Sequence, residues 1–134
     1  MSSAVRHPLI LVVDDNGVLR MHAAELLKEA GYEVLEAGDT ATALGFLETR
    51  SDIRLLFTDV QLSAGRDGLS LAQQVREQWP DILLLITSGG AKIMDESIPH
   101  EARFLTKPYS NREVLGHVDA MIKNQAASAP ALPL

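Results

Sequence analysis

Leu55-Leu56-Phe57-Thr58-Asp59 is the stretch that decides the fold, because an apolar run leads directly into a carboxylate. A short apolar run bounded by polar residues is typical of a strand buried on both faces of a parallel sheet. We therefore predict a strand over residues 53–58, with Asp59 where the strand leaves the sheet. Ligands bind at the carboxyl ends of parallel strands in open α/β sheets, which makes Asp59 a candidate functional residue.

Two further apolar runs end in polar residues in the same way. The run over residues 9–13 ends in Asp14-Asp15, and the run over residues 82–86 ends in Thr87-Ser88. If the three strands are parallel neighbours, three carboxylates and a hydroxyl meet at one edge of the sheet. The sequence thus predicts one polar site built from separate parts of the chain.

The composition is that of an ordinary globular domain. The chain has 134 residues, of which 46% are apolar and 22% charged, and this length suggests one domain. No apolar run is long enough for a membrane span or a signal peptide, so we expect a cytoplasmic location and no membrane partner. The absence of cysteine excludes disulfides, thiolate zinc sites and a cysteine nucleophile. The net charge of −6 argues against a nucleic-acid partner.

Strand and helix patterns alternate along the chain, which predicts an α/β domain with a parallel sheet. Strands are predicted over residues 9–13, 32–37, 53–58, 82–86 and 102–106. Helices are predicted over residues 16–30, 39–50, 69–79 and 110–124, with a short helix-compatible piece over 91–97. The buried stripe of the first helix is predicted as Leu19, Ala23, Leu26, Leu27 and Ala30. Arg20 is assigned to the solvated face of this helix.

The polar residues at the strand ends together resemble the receiver domain of two-component response regulators. The matching motifs, in the order of that family, are Asp14-Asp15, Asp59, Thr87-Ser88-Gly89 and Lys107-Pro108-Tyr109. The resemblance implies a three-layer, doubly wound, flavodoxin-like fold with a five-stranded parallel sheet in the order 2-1-3-4-5. It covers a receiver domain over residues 9–124, which follows an N-terminal extension (1–8). The Ala/Pro/Ser-rich composition of residues 125–134 predicts a disordered tail.

The chemistry of these residues suits phosphoryl transfer to a carboxylate. Asp59 and a phosphoryl group are both anionic, and Mg²⁺ held by Asp14, Asp15 and Asp59 would reduce their repulsion. Lys107 supplies a compact cation to offset the charge of the phosphoryl oxygens. The Thr87 hydroxyl can donate a hydrogen bond to one of these oxygens. Asp59 is therefore the predicted phosphoacceptor. Crowding of three carboxylates predicts a raised pKa for at least one of them.

The resemblance implies further detail at the metal site. Direct metal contacts are expected from Asp15, Asp59 and the backbone carbonyl of Gln61, with Asp14 acting largely through water. The Lys107–Pro108 peptide bond is expected to be cis, because a sharp turn there aims the lysine at the phosphoryl group.

The same resemblance implies a switch in which Thr87 moves inward and Phe104 follows it. Phe104 lacks the hydroxyl that would lock such a switch. The surface formed by residues 88–99, the fifth strand and the final helix is expected to change and to bind partners. The sequence departs from the family pattern after Asp59, where Leu62-Ser63 replaces the usual Met-Pro pair.

Three kinds of function remain open from the sequence. The first is a single-domain response regulator, phosphorylated by a sensor histidine kinase or histidine phosphotransfer protein and acting on a downstream protein as a monomer or weak homodimer. Such a protein is not an enzyme beyond its own phosphorylation and dephosphorylation. A phosphate sink or phosphorelay intermediate for a hybrid kinase is the alternative within this class.

The remaining two functions fit the sequence less well. An Asp-nucleophile phosphatase of the haloacid-dehalogenase class has a second Asp two residues after the nucleophile, where this chain has Gln61. A pseudo-receiver scaffold usually lacks an acidic residue or the lysine, and none of these is missing here.

Overall fold

The computed structural model describes residues 7–60, 67–88 and 101–128 of the chain. The described strands are β1 (Leu9–Val13), β2 (Glu33–Ala37), β3 (Ile53–Asp59), β4 (Leu83–Ser88) and β5 (Arg103–Thr106). The described helices are α1 (Gly17–Glu29), α2 (Thr40–Thr49), α3 (Asp67–Gln78) and α4 (Asn111–Ser128). The loop with Leu62-Ser63 and the predicted helical piece over 91–97 lie outside these residues.

The five strands form one parallel sheet in the order β2-β1-β3-β4-β5, which confirms the predicted fold class and strand order. β3 and β4 continue slightly further than predicted. Asp59 pairs with Thr87 in the register of these two strands, and Ser88 is the last residue of β4. Asp59, Thr87 and Ser88 therefore occupy the last paired positions of their strands and are held by the hydrogen bonds of the sheet.

Two hydrophobic clusters cover the two faces of the sheet. Alternation along the strands sends Leu11 to one face, where α2 and α3 pack through residues such as Ala43 and Val75. It sends Val12 to the other face, where α1 and α4 pack. Helices on both faces make the three predicted layers, and they leave the strand ends as the place for polar side chains.

Asn16 caps the N-terminus of α1, and the predicted buried stripe of this helix is confirmed only in part. The Asn16 side chain accepts hydrogen bonds from the backbone N–H groups of Val18 and Leu19. The buried residues of the helix are Ala23, Ala24 and Leu27. Leu19 is 41% exposed, and Ala30 is also exposed. Because α1 begins at the polar edge of the sheet, its first turn borders an open groove and not the core.

The final helix runs further than predicted. α4 ends at Ser128, so the predicted start of a disordered tail at residue 125 is wrong. Gln125 explains the extension, because its side chain accepts from Arg54 Nε at 2.6 Å and donates to the Asp81 carbonyl at 2.9 Å. At the other end, Ser110 and Glu113 form a capping box, in which the Glu113 N–H donates to Ser110 Oγ and the Ser110 N–H donates to Glu113 Oε1. None of the described helices has the length and apolar character needed to cross a membrane.

Gly68 places the start of α3 against the backbone of β3. Its N–H donates to the Val60 carbonyl at 3.1 Å. A Cβ on Gly68 would lie 1.6 Å from the carbonyl oxygen of Asp59 and 2.9 Å from that of Val60. These neighbours are backbone atoms that cannot move aside without displacing Asp59, so the position requires glycine.

We expect Gly68→Ala to destabilise the protein by about 1–3 kcal/mol, the usual range for overpacking a filled site. Gly116→Ala is the matched control, because Gly116 is an exposed position in α4 where an added Cβ would have no heavy atom within 4 Å. That substitution should stabilise the protein by about 0.5–1 kcal/mol. Urea unfolding of both variants measures the difference. Equal effects from the two substitutions would contradict the close approach at Gly68.

Candidate functional site

An ion pair between Lys107 and Asp59 lies at the centre of the polar edge. Lys107 Nζ donates to Asp59 Oδ2 at 2.7 Å, and the two side chains are 23% and 13% exposed. The backbone holds Lys107 as well, because its N–H donates to the Ser88 carbonyl at 2.8 Å. The Lys107–Pro108 peptide bond is cis, as predicted. The end of β5 thus reaches across β4 to the end of β3.

Asp14 is the buried member of the aspartate pair, and Asp15 is exposed. Asp14 Oδ1 accepts from the Asn16 N–H at 2.9 Å. Burial raises the pKa of Asp14, and the nearby charges of Asp59 and Asp15 raise it further against the opposing hydrogen bond and Lys107. A raised carboxylate pKa was predicted here, but burial contributes more to it than repulsion does.

Lys107 remains a cation despite its partial burial. Burial alone would lower its pKa, but the hydrogen bond and the charge of Asp59, with that of Asp14, raise the pKa of Lys107 above its ordinary value. It is therefore fully protonated at neutral pH. A cation that is fixed before any reaction needs no rearrangement to stabilise charge on an incoming anion.

Thr87 completes the group of site residues that the structure brings together. It is buried at 2% exposure, and its backbone carbonyl accepts from the Val60 N–H at 2.8 Å. A cavity of about 10 Å³ is lined by Asp14, Asp59, Thr87 and Tyr109 among others. This is space for about one water molecule. Phe104 pairs with Ile86 in the register of β4 and β5 and is half-buried against one hydrophobic cluster.

The three aspartates do not form a ready three-ligand metal site. Among residues 7–60, 67–88 and 101–128, no three His, Cys, Asp or Glu side chains are grouped so that they could hold one metal ion. The side chain of Asp15 is exposed, and one carboxylate oxygen of Asp59 is already bound by Lys107. Gln61, whose carbonyl was predicted as a ligand, lies outside the described residues.

The donors nevertheless fit Mg²⁺. All of them are carboxylate oxygens, and Mg²⁺ usually binds through one or two carboxylates while it keeps several waters. Asp59 is close enough to Asp14 for its charge to raise the pKa of Asp14. A bound divalent cation would relieve that repulsion. Asp14, Asp15 and Asp59 are the residues that would hold it.

Arg20 was assigned to a solvated helix face, and this is wrong. Its side chain is 24% exposed; Nη1 donates to the Asp14 carbonyl at 2.9 Å, and Nε pairs with Glu36 Oε1 at 3.1 Å. The position of Arg20 in the first turn of the helix after Asp14 was the available sequence signal. Nothing in the sequence showed that Glu36 would lie beside it, because that depends on the pairing of β1 with β2.

The comparisons with known proteins identify the family. The family model for the response regulator receiver domain matches residues 10–119. The chain is 28% identical over 116 residues to the response regulator receiver protein CpdR of Brucella abortus (strain 2308), covering 84% of this chain and 95% of CpdR. It is 30% identical over 120 residues to the sensor kinase CckA of the same organism, covering 87% of this chain but only 13% of CckA.

A solved structure agrees with these matches. The signal receiver domain of an HD domain-containing protein from Pseudomonas fluorescens Pf-5 has a TM-score of 0.82 and 25% identity, covering 92% of this chain and 100% of that one. The chain belongs to the response regulator receiver domain family. Receiver domains are phosphoacceptors in two-component signalling; they generally bind Mg²⁺ at the phosphorylation site and interact with histidine kinases.

We expect Asp14→Asn to raise the stability of the metal-free protein at neutral pH. Because the folded-state pKa of Asp14 is raised above its ordinary value of 3.8, the fold holds this proton more tightly than the unfolded chain does. The protonated Asp14 carboxyl stabilises the fold at pH values below its pKa in the unfolded chain. This contribution is lost as the pH rises through its pKa in the folded protein. Asparagine removes the charge but keeps the Oδ1 acceptor for the Asn16 N–H.

Thermal melts in a chelator between acid and neutral pH measure this effect. The midpoint of Asp14→Asn should exceed that of the wild type at pH 7, and the difference should shrink in acid. Mg²⁺ should raise the midpoint of the wild type more than that of the variant, by mass action. Asp81→Asn, at an exposed position before β4, is the control and should stay within about 0.5 kcal/mol of the wild type. Equal midpoints of Asp14→Asn and wild type at every pH would contradict a destabilising charge at Asp14.

Proposed function

We propose that this chain is a response regulator that accepts a phosphoryl group on Asp59 from a sensor histidine kinase or a histidine phosphotransfer protein. The observation that carries the proposal is the Lys107–Asp59 ion pair at 2.7 Å, with Thr87 opposite Asp59 in the strand register. A nucleophilic carboxylate, a fixed cation and a hydroxyl donor are thereby held at one edge. The phosphorylated form then acts on a downstream protein.

The proposed reaction is a displacement at phosphorus. A carboxylate oxygen of Asp59 attacks the phosphoryl group of a phosphohistidine, the P–N bond breaks, and an acyl phosphate forms on Asp59. Lys107 is already within reach of the new phosphoryl oxygens, and the Thr87 hydroxyl can donate to another. Mg²⁺, when bound by Asp14, Asp15 and Asp59 with the Gln61 carbonyl, supplies positive charge that reduces the repulsion between the two anions.

The exposed apolar side chains of α1 indicate where the phosphoryl donor would dock. Val18 is 77% exposed, Met21 58% and Leu19 41%, and they lie on the first turns after the Asp14-Asp15 pair. A groove of about 480 Å³ runs beside Leu19 to the turn at Lys107 and Pro108. A protein donor has to approach this edge to reach Asp59, so we propose that it covers these side chains.

Two settings for this chemistry have support from the relatives. The match over 95% of CpdR supports a single-domain regulator that acts on a separate partner as a monomer or weak homodimer. The match to 13% of CckA supports the alternative, a phosphorelay intermediate or phosphate sink for a hybrid kinase. Phosphotransfer profiling against purified histidine kinases identifies the donor. Measuring affinity for partner proteins with and without phosphorylation separates the two settings, because a sink drains phosphate from its kinase without a change in affinity for any other protein.

We expect Asp59 to be the sole site of phosphorylation, in a reaction that needs Mg²⁺. Acetyl phosphate with Mg²⁺ should label the wild-type protein, and mass spectrometry should place the label on Asp59. Asp59→Asn should take up no label, while Asp81→Asn, changed at the opposite end of the sheet, should label as the wild type does. Stable labelling of Asp59→Asn, or labelling of the wild type in a chelator, would contradict the proposal.

The proposed output is a switch of Thr87 and Phe104. A phosphoryl group on Asp59 offers the Thr87 hydroxyl a better acceptor than water, which draws it inward. Phe104 on the neighbouring strand can then bury more of its ring, which stabilises the inward position by about 1–2 kcal/mol. Because Phe104 has no hydroxyl to donate, packing alone holds it, and the switch is biased without being locked.

Hydrogen exchange with and without beryllium trifluoride and Mg²⁺ tests this switch. Protection should change most between Thr87 and Tyr109, and less over α1 and α2. Asp59→Asn with the same reagents is the control and should show no such change. If protection changes instead over α1 or α2, the account of the output is wrong even where Asp59 is labelled.

A further inference from the structure

We propose that Arg20 is a positioning residue that holds the peptide between Asp14 and Asp15 in place and thereby sets the affinity of the site for Mg²⁺. The inference rests on the proposed function, in which these aspartates hold the ion. Arg20 touches neither aspartate side chain in the described contacts. It acts through the Asp14 carbonyl and through its own partner, Glu36.

The main chain of Asp14 is held on both sides. Its N–H donates to the Ala37 carbonyl at 3.1 Å, and its carbonyl accepts from Arg20 Nη1 at 2.9 Å. Since the peptide group is planar, fixing this carbonyl also fixes the direction in which the chain enters Asp15. Asp15 is exposed, and no hydrogen bond to its side chain occurs among the described residues. The direction of its carboxylate therefore depends on the backbone that Arg20 holds.

Arg20 is itself fixed by β2. Its Nε pairs with Glu36 Oε1 at 3.1 Å, and the two side chains are 24% and 32% exposed. Gly38 leaves room for the guanidinium, because a Cβ there would lie 3.2 Å from Nη1. The guanidinium is a planar fork, so pairing Nε with Glu36 aims Nη1 at the Asp14 carbonyl. A chain of two polar contacts thus connects β2 to the end of β1.

The charge of Arg20 and its positioning role predict opposite changes in Mg²⁺ affinity when Arg20 is removed. On charge alone, loss of a cation near an acidic site would strengthen Mg²⁺ binding. On position, the aspartates would lose part of their preorganisation, and Mg²⁺ demands near-ideal octahedral geometry from its ligands. The positioning role therefore predicts weaker Mg²⁺ binding, and the sign of the change separates the two explanations.

Metal affinity and backbone exchange are the two measurements. Titration with Mg²⁺ by calorimetry should show a dissociation constant raised about tenfold in Arg20→Ala, the lower end of the effect of residues that orient metal ligands. In the metal-free protein, NMR should show faster hydrogen exchange at the Asp14 amide, which donates to the Ala37 carbonyl at 3.1 Å. Arg20→Lys keeps the charge but not the fork, and it should raise the constant less than Arg20→Ala. Because lysine is the milder change, it keeps the test open if the alanine variant does not fold.

Arg50→Ala is the matched control. Arg50 forms an arginine–aspartate ion pair with Asp52 at 2.8 Å, before β3 and at the opposite end of the sheet from the site. Its loss should leave both the Mg²⁺ dissociation constant and the exchange rate of the Asp14 amide unchanged. The inference is overturned if Arg20→Lys and Arg20→Ala bind Mg²⁺ as tightly as the wild type or more tightly, or if the exchange of the Asp14 amide does not change. If the proposed function itself is wrong, the result is different: the wild-type protein neither binds Mg²⁺ nor is phosphorylated on Asp59.

Discussion

The three central strands are covered by helices on both faces, and this burial constrains where polar side chains can be placed. All five residues of β1 are buried, as are most of those in β3 and β4. Polar groups inside such strands would lose their hydration, so they occur where the strands end. Parallel pairing brings those ends to one edge, with Asp59 opposite Thr87. The site therefore follows from the same burial that stabilises the sheet.

The edge carries an electrostatic cost that its own residues offset only in part. Lys107 neutralises Asp59 through a short hydrogen bond, and each side chain is largely withdrawn from water. Asp14 has no such cation in direct contact among the described residues, and burial raises its pKa. The fold thus keeps a carboxylate that Lys107 offsets only from a distance beside one that Lys107 pairs with directly. That arrangement lowers stability without metal and favours binding of a divalent cation, a compromise often found at functional sites.

Sequence reasoning predicted the strands and the residues at the polar edge of the sheet, because each of these leaves a local pattern. The order 2-1-3-4-5 came from the family resemblance, since periodicity does not show which strands are neighbours. The errors concern contacts between distant segments. Leu19 has the spacing of a core residue but borders a groove, Gln125 continues α4 through partners on other elements, and Arg20 reaches β2. Gly68 was not singled out, because only the path of α3 against β3 requires it.

The ends of β1 and β3 show why the Asp14-Asp15 pair and Asp59 are supported so differently. Asp59 is placed by strand pairing with β4 and by the side chain of Lys107. Asp14 lies just beyond β1, where the ladder ends, and its main chain is held by Ala37 and Arg20 instead. A residue inside a paired strand is held by the many hydrogen bonds of the sheet, whereas a residue beyond the end of its strand is held by only a few hydrogen bonds. The Asp14-Asp15 half of the edge should therefore tolerate substitution of its supporting residues less well than the Asp59 half.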